Sequence, residues 1–345
     1  QAFRHRFTED QQSLVEKLSD FLFHQPETKV FIIDGYAGTG TTGLMSALVK
    51  VLPFYSIKTI LLAPTGRAAK VLSRNSQKTA STIHKHIYYS SIDANGNISL
   101  KLKNNKNAST LYIVDEASMI GAREQGFEAH NLLDDLLQHC LSGYGNKIIF
   151  MGDTAQLPPI GSATSPALNQ EYIETEFILN AQYQRLTQVV RQALQSGILR
   201  NASNIRWAIA NGRIRLPILK TKDLNDVRIV ESYDLEDTLR SEYREKGVNE
   251  VLIITRTNKL ANRINQYVRT AILEKENQID IGETIMSVKN NYFWTEKAAL
   301  SDFIANGDML EITRIFGYEE AFGLRFADVA VRFADRAEAT EIELT

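Results

Sequence analysis

The sequence predicts an α/β fold built on parallel sheets, and three observations carry that expectation. Residues 30–33 (VFII) are a short apolar run ending in the glycine-rich stretch GYAGTGTT (35–42), and Leu44, Ala47, Leu48 and Val51 follow at helical spacing. The same order of apolar strand, breaking loop and helix returns at 59–72 and again at 251–273. Two further apolar runs, 111–114 and 148–151, end in carboxylates at Asp115-Glu116 and in Gly152-Asp153. Strands that alternate with helices pair in parallel and gather their following loops at one sheet edge.

The stretch 35–42 is the element on which the rest depends. Gly35, Gly38 and Gly40 let backbone N–H groups turn inward and approach an anion closely, and the helix behind them adds a partial positive charge. Gly35 and Gly40 have the spacing of the phosphate-binding signature G-x-x-x-x-G-K-[ST], with Ala37 and Thr39 between them, and Thr42 supplies the hydroxyl that reaches Mg²⁺. The lysine is replaced by Thr41, which offers one neutral hydrogen bond and no positive charge to a β- or γ-phosphate.

Upstream, residues 7–21 carry helical spacing at Leu14, Val15, Leu18 and Phe21, with Thr8 as N-cap. Gln11 falls near the mouth of the loop, where it is either a solvated helix-start residue or an amide that reads adenine by donating and accepting. Downstream of the strand at 59–63, Pro64, Thr65, Gly66 and Arg67 form either an ordinary strand-to-helix turn or a cradle for a nucleic-acid phosphate. In STIHKHI (81–87), Thr82, His84 and His86 suit a helix face or a phosphate contact better than a metal site, because no cysteine accompanies them. Asn95-Gly96 between two partly alternating segments predicts a small inserted β-hairpin at 88–104, carrying Lys101, Lys103 and Lys106; it is either decoration or a working part.

At the end of the strand at 111–114, Asp115 and Glu116 would be costly inside a sheet but can face a Mg²⁺–phosphate site at its carboxyl edge. Asp115 would then hold the metal's water shell, and Glu116 would orient or deprotonate an attacking water. Gln156, after the strand at 148–151, is placed to sense a γ-phosphate. Arg191 is either a surface residue or a cation reaching across a cleft. A second unit begins near Gln192 with a polar helix to Gly212, then a strand at 251–254 leading through Thr255 and Asn258 into a helix at 259–273. From Gly282 onward short strand-like runs predict a β subdomain.

Bulk properties restrict the partners. The chain of 345 residues suits about two domains, and 43% apolar with 23% charged residues is ordinary for a globular protein. No apolar stretch is long enough for a bilayer-spanning helix, and the first residues have no signal-peptide core. The single cysteine, Cys140, allows no intrachain disulfide and fits a reducing compartment, so the expected location is the cytoplasm. With a net charge of −2, a nucleic acid would have to be held by a local groove.

These motifs, in this order, resemble a superfamily 1B DNA helicase of the RecD/Dda-like group. FTEDQ resembles the adenine-reading Q motif; GYAGTGTT, APTGRAAKVLS and STIHKHI resemble motif I and the DNA-contacting segments after it. VDEAS is similar to motif II, GDTAQLPPIGSA to motif III, LTQVVRQ to motif IV with Arg191 as its nucleotide-contacting arginine, and ITRTN to a DNA-contacting segment of the second motor domain. The resemblance implies two RecA-like P-loop domains that bind ATP and Mg²⁺ between them and grip single-stranded DNA, moving 5′ to 3′ as a monomer and opening duplex junctions. It implies first-domain segments 1–87 and 109–185, a small inserted 1B subdomain at 88–108, part of the second motor domain at 186–281, and the start of an SH3-like 2B subdomain at 282–345. Two departures carry their own expectation. Thr41 replaces the motif I lysine, and nothing before Thr345 resembles the family's motifs V and VI. The expected protein is an incompletely represented helicase that hydrolyses ATP poorly.

Overall fold

The computed structural model describes residues 7–92, 98–121, 131–159, 161–189, 196–213, 216–288, 291, 304, 306–334 and 341–345. The chain opens with helix α1 (Glu9–Phe23), capped by Thr8: its hydroxyl accepts from Gln11 N–H, and the Gln11 amide oxygen accepts from Thr8 N–H in return. Strand β1 (Thr28–Gly35), helix α2 (Thr41–Val51), strand β2 (Lys58–Ala63) and helix α3 (Gly66–Ser76) follow as two strand–loop–helix units. Next come β3 (Ala80–Thr82), the short helix α4 (Ile83–Ile87), and the hairpin strands β4 (Tyr88–Ile92) and β5 (Ile98–Leu102). Strand β6 (Thr110–Val114), helix α5 (Leu132–Leu141), β7 (Lys147–Gly152), α6 (Gln170–Glu176) and β8 (Asn180–Leu186) complete the first unit.

Those strands form a parallel six-stranded sheet in the order β3-β2-β6-β7-β1-β8. Strands alternate their side chains between two faces, and the sequence uses both. Val30, Ile32, Tyr112, Val114, Ile148 and Phe150 pack with α5 on one side, while Phe31, Ile33, Leu111, Ile113, Ile149 and Met151 pack with α1, α2 and α3 on the other. Burial on both faces is why these strands are continuous apolar runs. Cys140 sits in the first of these clusters, where burial raises its thiol pKa well above the ordinary value and keeps it inert. The hairpin forms as the sequence predicts, with Tyr88 opposite Leu102 and Ile92 opposite Ile98, and its tip at 93–97 lies outside the described residues.

The second half departs from expectation. Helix α7 (Gly197–Ala210) matches the helix expected from Gln192, whose first residues lie outside the described ones. Helix α8 (Leu235–Lys246) has no buried residue, and its lack of an apolar stripe hid it in the sequence. Helix α9 (Asn258–Tyr267) and a π turn at Val268–Ile272 occupy the helix expected at 259–273. The strand expected at 251–254 does not form: these residues pair with no strand among the described residues, and Leu252 and Ile254 are 81% and 87% exposed. An apolar run becomes a strand only where a neighbouring strand supplies hydrogen bonds, and none does so here among the described residues. The chain is therefore mixed α/β with one parallel sheet bearing the phosphate loop, and a helical second unit.

The C-terminal β region forms as expected. Strands β9 (Thr284–Met286), β10 (Met309–Ala321), β11 (Leu324–Phe333) and β12 (Ile342–Leu344) make a four-stranded antiparallel sheet in the order β12-β11-β10-β9 with its own apolar cluster. It meets the first unit at α3, where Lys70 Nζ lies 3.2 Å from the buried Asp308 carboxylate and 4.9 Å from the centre of the Phe333 ring.

Candidate nucleotide site

The carboxyl edge of the sheet collects the loops after β1, β6 and β7 around a cavity of about 320 Å³. Gly35, Tyr36, Ala37, Gly38, Gly40, Thr41, Thr42, Asp115, Glu116, Met151, Gly152, Asp153 and Gln156 line it. Gly38 (φ 82°) and Gly40 (φ 78°) sit in the left-handed region that favours glycine, and Gly40 is the N-cap of α2. The structure thus brings together most of the nucleotide residues read from the sequence, with Asp115, Glu116 and Gln156 facing the same space.

Thr41 is turned back toward the sheet. Its Oγ1 lies 3.1 Å from Thr39 Oγ1, and Thr39 Oγ1 donates to Tyr36 C=O at 2.6 Å. A Cβ at Gly35 would stand 2.2 Å from Thr41 Oγ1, so the smallest residue is required there by the threonine that replaces the lysine. Thr39 is itself fully buried beneath the loop.

Gln11 is not a solvated residue. It is 2% exposed, its carbonyl is occupied by Thr8 N–H, and its Nε2 donates to Thr39 C=O at 2.8 Å. These bonds leave one N–H of the amide and one lone pair of its carbonyl unused. The residue ties α1 to the underside of the loop.

Two carboxylates that the sequence placed as an acidic strand end are raised in pKa. Burial raises Asp115, against a stabilising hydrogen bond from Glu116 N–H at 2.9 Å. Burial also raises Glu116, with further contributions from Asp115 and Asp153. Glu116 has φ 54°, and a non-glycine residue in that region stores on the order of 1 kcal/mol or more of strain. A partly buried acidic pair beside a hydroxyl at Thr42 fits a divalent cation: the cation offsets the burial that raises both groups and the carboxylate repulsion that adds to it at Glu116, and all three side chains offer hard oxygen ligands.

Asp153 and Asp34 hold this arrangement together, and the sequence reading assigned a role to neither. Asp153 Oδ2 accepts from Ala37 N–H at 3.2 Å, and its Oδ1 accepts from Ala155 N–H at 2.8 Å, which joins the turn after β7 to the phosphate loop. Asp34, fully buried at the end of β1, accepts from Thr154 N–H (3.0 Å), Thr154 Oγ1 (2.8 Å), Tyr183 Oη (2.7 Å) and Arg185 Nε (2.8 Å). A charged residue closing an apolar run was the signal available for Asp34; its partners, more than a hundred residues away, were not visible.

The nucleic-acid candidates divide. Thr65 caps α3 by accepting from Ala68 N–H, Thr82 caps α4 by accepting from Lys85 N–H, and both stand at the same carboxyl edge as the cavity, after β2 and β3. Gly66 is buried, Pro64 is half-buried, Arg67 is exposed, and the His84 ring lies 5.7 Å from that of Tyr88. Thr255 and Asn258 lie at the start of α9, capped by Thr257, and do not join the cavity. Arg191 lies outside the described residues. Lys103 of the hairpin points inward, its Nζ donating to Lys85 C=O at 2.6 Å. Among the described residues no group of three or more His, Cys, Asp or Glu side chains could together hold a metal ion.

Residues 6–232 match the sequence family described as AAA domain. The chain is 28% identical to protein R530 of Acanthamoeba polyphaga mimivirus over 338 residues, covering 89% of this chain and 64% of that protein. It is 26% identical to the ATP-dependent RecD2 DNA helicase of Deinococcus radiodurans, covering 84% of this chain and 37% of that protein. It is 29% identical to the ATP-dependent DNA helicase dda of Enterobacteria phage T4, covering 74% of this chain and 55% of that protein. The chain therefore spans less than two thirds of the length of each of these relatives. With the phosphate loop, the acidic strand end and the glutamine turn gathered at one cavity, and with the family match across the whole first unit, the chain belongs to the AAA domain family, and it is similar in sequence to the RecD2 and dda helicases.

Proposed function

We propose that this chain is the nucleotide-binding core of an ATP-driven 5′-to-3′ DNA motor, and that Thr41 leaves it able to bind nucleotide but poor at hydrolysis. The observation that carries the reading is the single cavity that unites the glycine loop with Asp115, Glu116 and Gln156. Backbone N–H groups at 38–42 and the N-terminus of α2 would receive the phosphates, and Thr42 with Asp115 would hold Mg²⁺. The cation, when bound, neutralises charge that builds on the transferring phosphoryl group. Glu116, its pKa raised by burial and by two neighbouring carboxylates, would accept a proton from water more readily than an ordinary carboxylate. Asp153 keeps Ala37 N–H engaged, so the turn that carries Gln156 moves with the loop.

Single-stranded DNA would run along the carboxyl edge beside this cavity, with Thr65 and Thr82 at helix starts offering backbone N–H groups to its phosphates. Residues 1–87 and 109–185 would act as the first motor domain, 88–108 as the small 1B insertion, 186–281 as part of the second motor domain and 282–345 as an SH3-like 2B region. Cytoplasmic location and action as a monomer complete the reading.

A second reading, favoured by Thr41 turning toward Gly35, is a DNA-binding module that retains the motor fold without turnover. The deciding experiment measures ATPase activity with and without single-stranded DNA for the chain and for Thr41→Lys. DNA-stimulated turnover in the lysine variant alone supports the motor reading with Thr41 as the block. Robust turnover by the unaltered chain refutes the impairment, and DNA binding without turnover in either supports the module.

A further inference from the structure

Helix α7 brings Arg206 against Tyr36 of the phosphate loop, a contact between residues far apart in the chain. The helix is fixed at its start by Asp226, whose carboxylate accepts from Ser196 Oγ (3.0 Å), Gly197 N–H (2.9 Å) and Ile198 N–H (3.3 Å). It is held farther along by Asn201, which exchanges hydrogen bonds with the Lys220 backbone at 2.8 Å in both directions. So anchored, α7 sets Leu199 against Gly38, where an added Cβ would stand 3.0 Å from Leu199 Cδ2. Two turns on, the Arg206 guanidinium lies 4.1 Å from the centre of the Tyr36 ring, and Tyr36 lines the cavity.

Two arginines approach that ring, and they differ. Arg185 is 5.7 Å from its centre and is paired with Asp34 at 2.8 Å. Arg206 has no ion-pair partner among the described residues, and its Nε is buried with no hydrogen-bond acceptor. A buried donor on a cation left without an acceptor is costly and uncommon in a folded protein, and it marks a place where a ligand can complete the set. The cavity that Tyr36 lines carries Asp115, Glu116 and Asp153 and no lysine at 41.

We infer that Arg206, stacked on Tyr36, is a phosphate-binding residue that supplies the terminal phosphate of a nucleoside triphosphate with the positive charge Thr41 does not provide. The planar guanidinium suits this position because it can lie flat on the aromatic ring while its edge donors face an anion. Tyr36 follows Gly35 directly, at the entry of the loop where the chain leaves β1, and Leu199 sits on Gly38 in the same loop. An anion seated there would engage both units of the protein at once. The inference rests on the nucleotide reading above and adds the source of its charge.

The test measures affinity of the full chain for fluorescent N-methylanthraniloyl-ATP and -ADP, with Mg²⁺, for the wild type, Arg206→Gln, Arg206→Lys and Thr42→Ala, with thermal melting of each. Loss of a charged hydrogen bond to phosphate is worth on the order of 1.5 kcal/mol or more, a factor of about ten. Arg206→Gln should weaken the triphosphate about tenfold or more while changing the diphosphate by less than about twofold, and Arg206→Lys should fall between. Equal losses for both nucleotides, or a lower melting temperature with unchanged selectivity, would show that Arg206 only packs α7 onto the loop and would overturn the inference. Thr42→Ala weakening binding while Arg206→Gln does nothing would leave the nucleotide reading standing and remove Arg206 from it. If the wild type binds neither nucleotide, both readings fall. Should Arg206→Gln fail to fold, the lysine variant alone decides through the same selectivity ratio.

Discussion

Replacing Asp34 by alanine should destabilise the first unit and loosen the nucleotide cavity together. The carboxylate is fully buried and collects four donors, from Thr154 N–H, Thr154 Oγ1, Tyr183 Oη and Arg185 Nε. Removing one member of a buried ion pair costs about 3–5 kcal/mol, because the partner is left uncompensated. Arg185 is 46% exposed and can be rehydrated, so the lower end, about 3 kcal/mol, applies. At about 2–4 °C per kcal/mol, that is a fall of roughly 6–12 °C in melting temperature. Asparagine keeps the shape but turns an amide N–H₂ toward donors, so Asp34→Asn should cost about 1–2 kcal/mol. Because Thr154 starts the turn that carries Gln156, nucleotide affinity should fall in the same order as stability. Thermal melting with a nucleotide titration reads both. An Asp34→Ala protein that melts within about 1 °C of wild type would refute the argument, since it would mean those donors find water at no cost.

Three more outcomes are expected. Burial first, then His139 and the lysines at 103 and 58, lower the His86 pKa to about 4, so the ring is neutral in the fold while the unfolded chain takes a proton below about 6.5. Stability is therefore full above pH 6.5 and falls toward pH 4 by up to about 3 kcal/mol, and His86→Phe should flatten that slope in melting curves run from pH 7 to pH 4. Gly38→Ala places a methyl in a left-handed residue against Leu199, so it should weaken nucleotide binding and expose α7 to hydrogen exchange. Lys70→Met leaves the 2%-exposed Asp308 without this cation; limited proteolysis should then cut near the β9–β10 connection sooner than in wild type, at a cost of about 2–4 kcal/mol to the α3 contact.

What the sequence disclosed follows how far each signal reaches along the chain. The phosphate loop, the acidic strand end and the Thr8 cap are local patterns whose geometry is set within a few residues, and each forms where it was expected. The strand at 251–254 failed for the opposite reason: its apolar run was real, but a parallel strand is made by its neighbours, and no neighbour is present among the described residues. Gln11 lies beside the loop as expected, and the capping box it forms with Thr8 was readable locally, whereas its bond to Thr39 C=O, 28 residues on, was not.

The residues that organise the site were the least visible. Asp34, Asp153, Arg185 and Arg206 act on partners brought near by sheet order, β7 and β8 flanking β1, and by the anchoring of α7. No periodicity announces them. Their common feature is physical: each is an ionisable group at or near a buried edge, where an unmatched charge would be costly and must be met by a partner or a ligand. Asp34 and Asp153 are met by protein donors, and Arg185 is met by Asp34. Arg206 alone in this group has a buried donor left open, so the same accounting that explains the other three points to a ligand at the fourth.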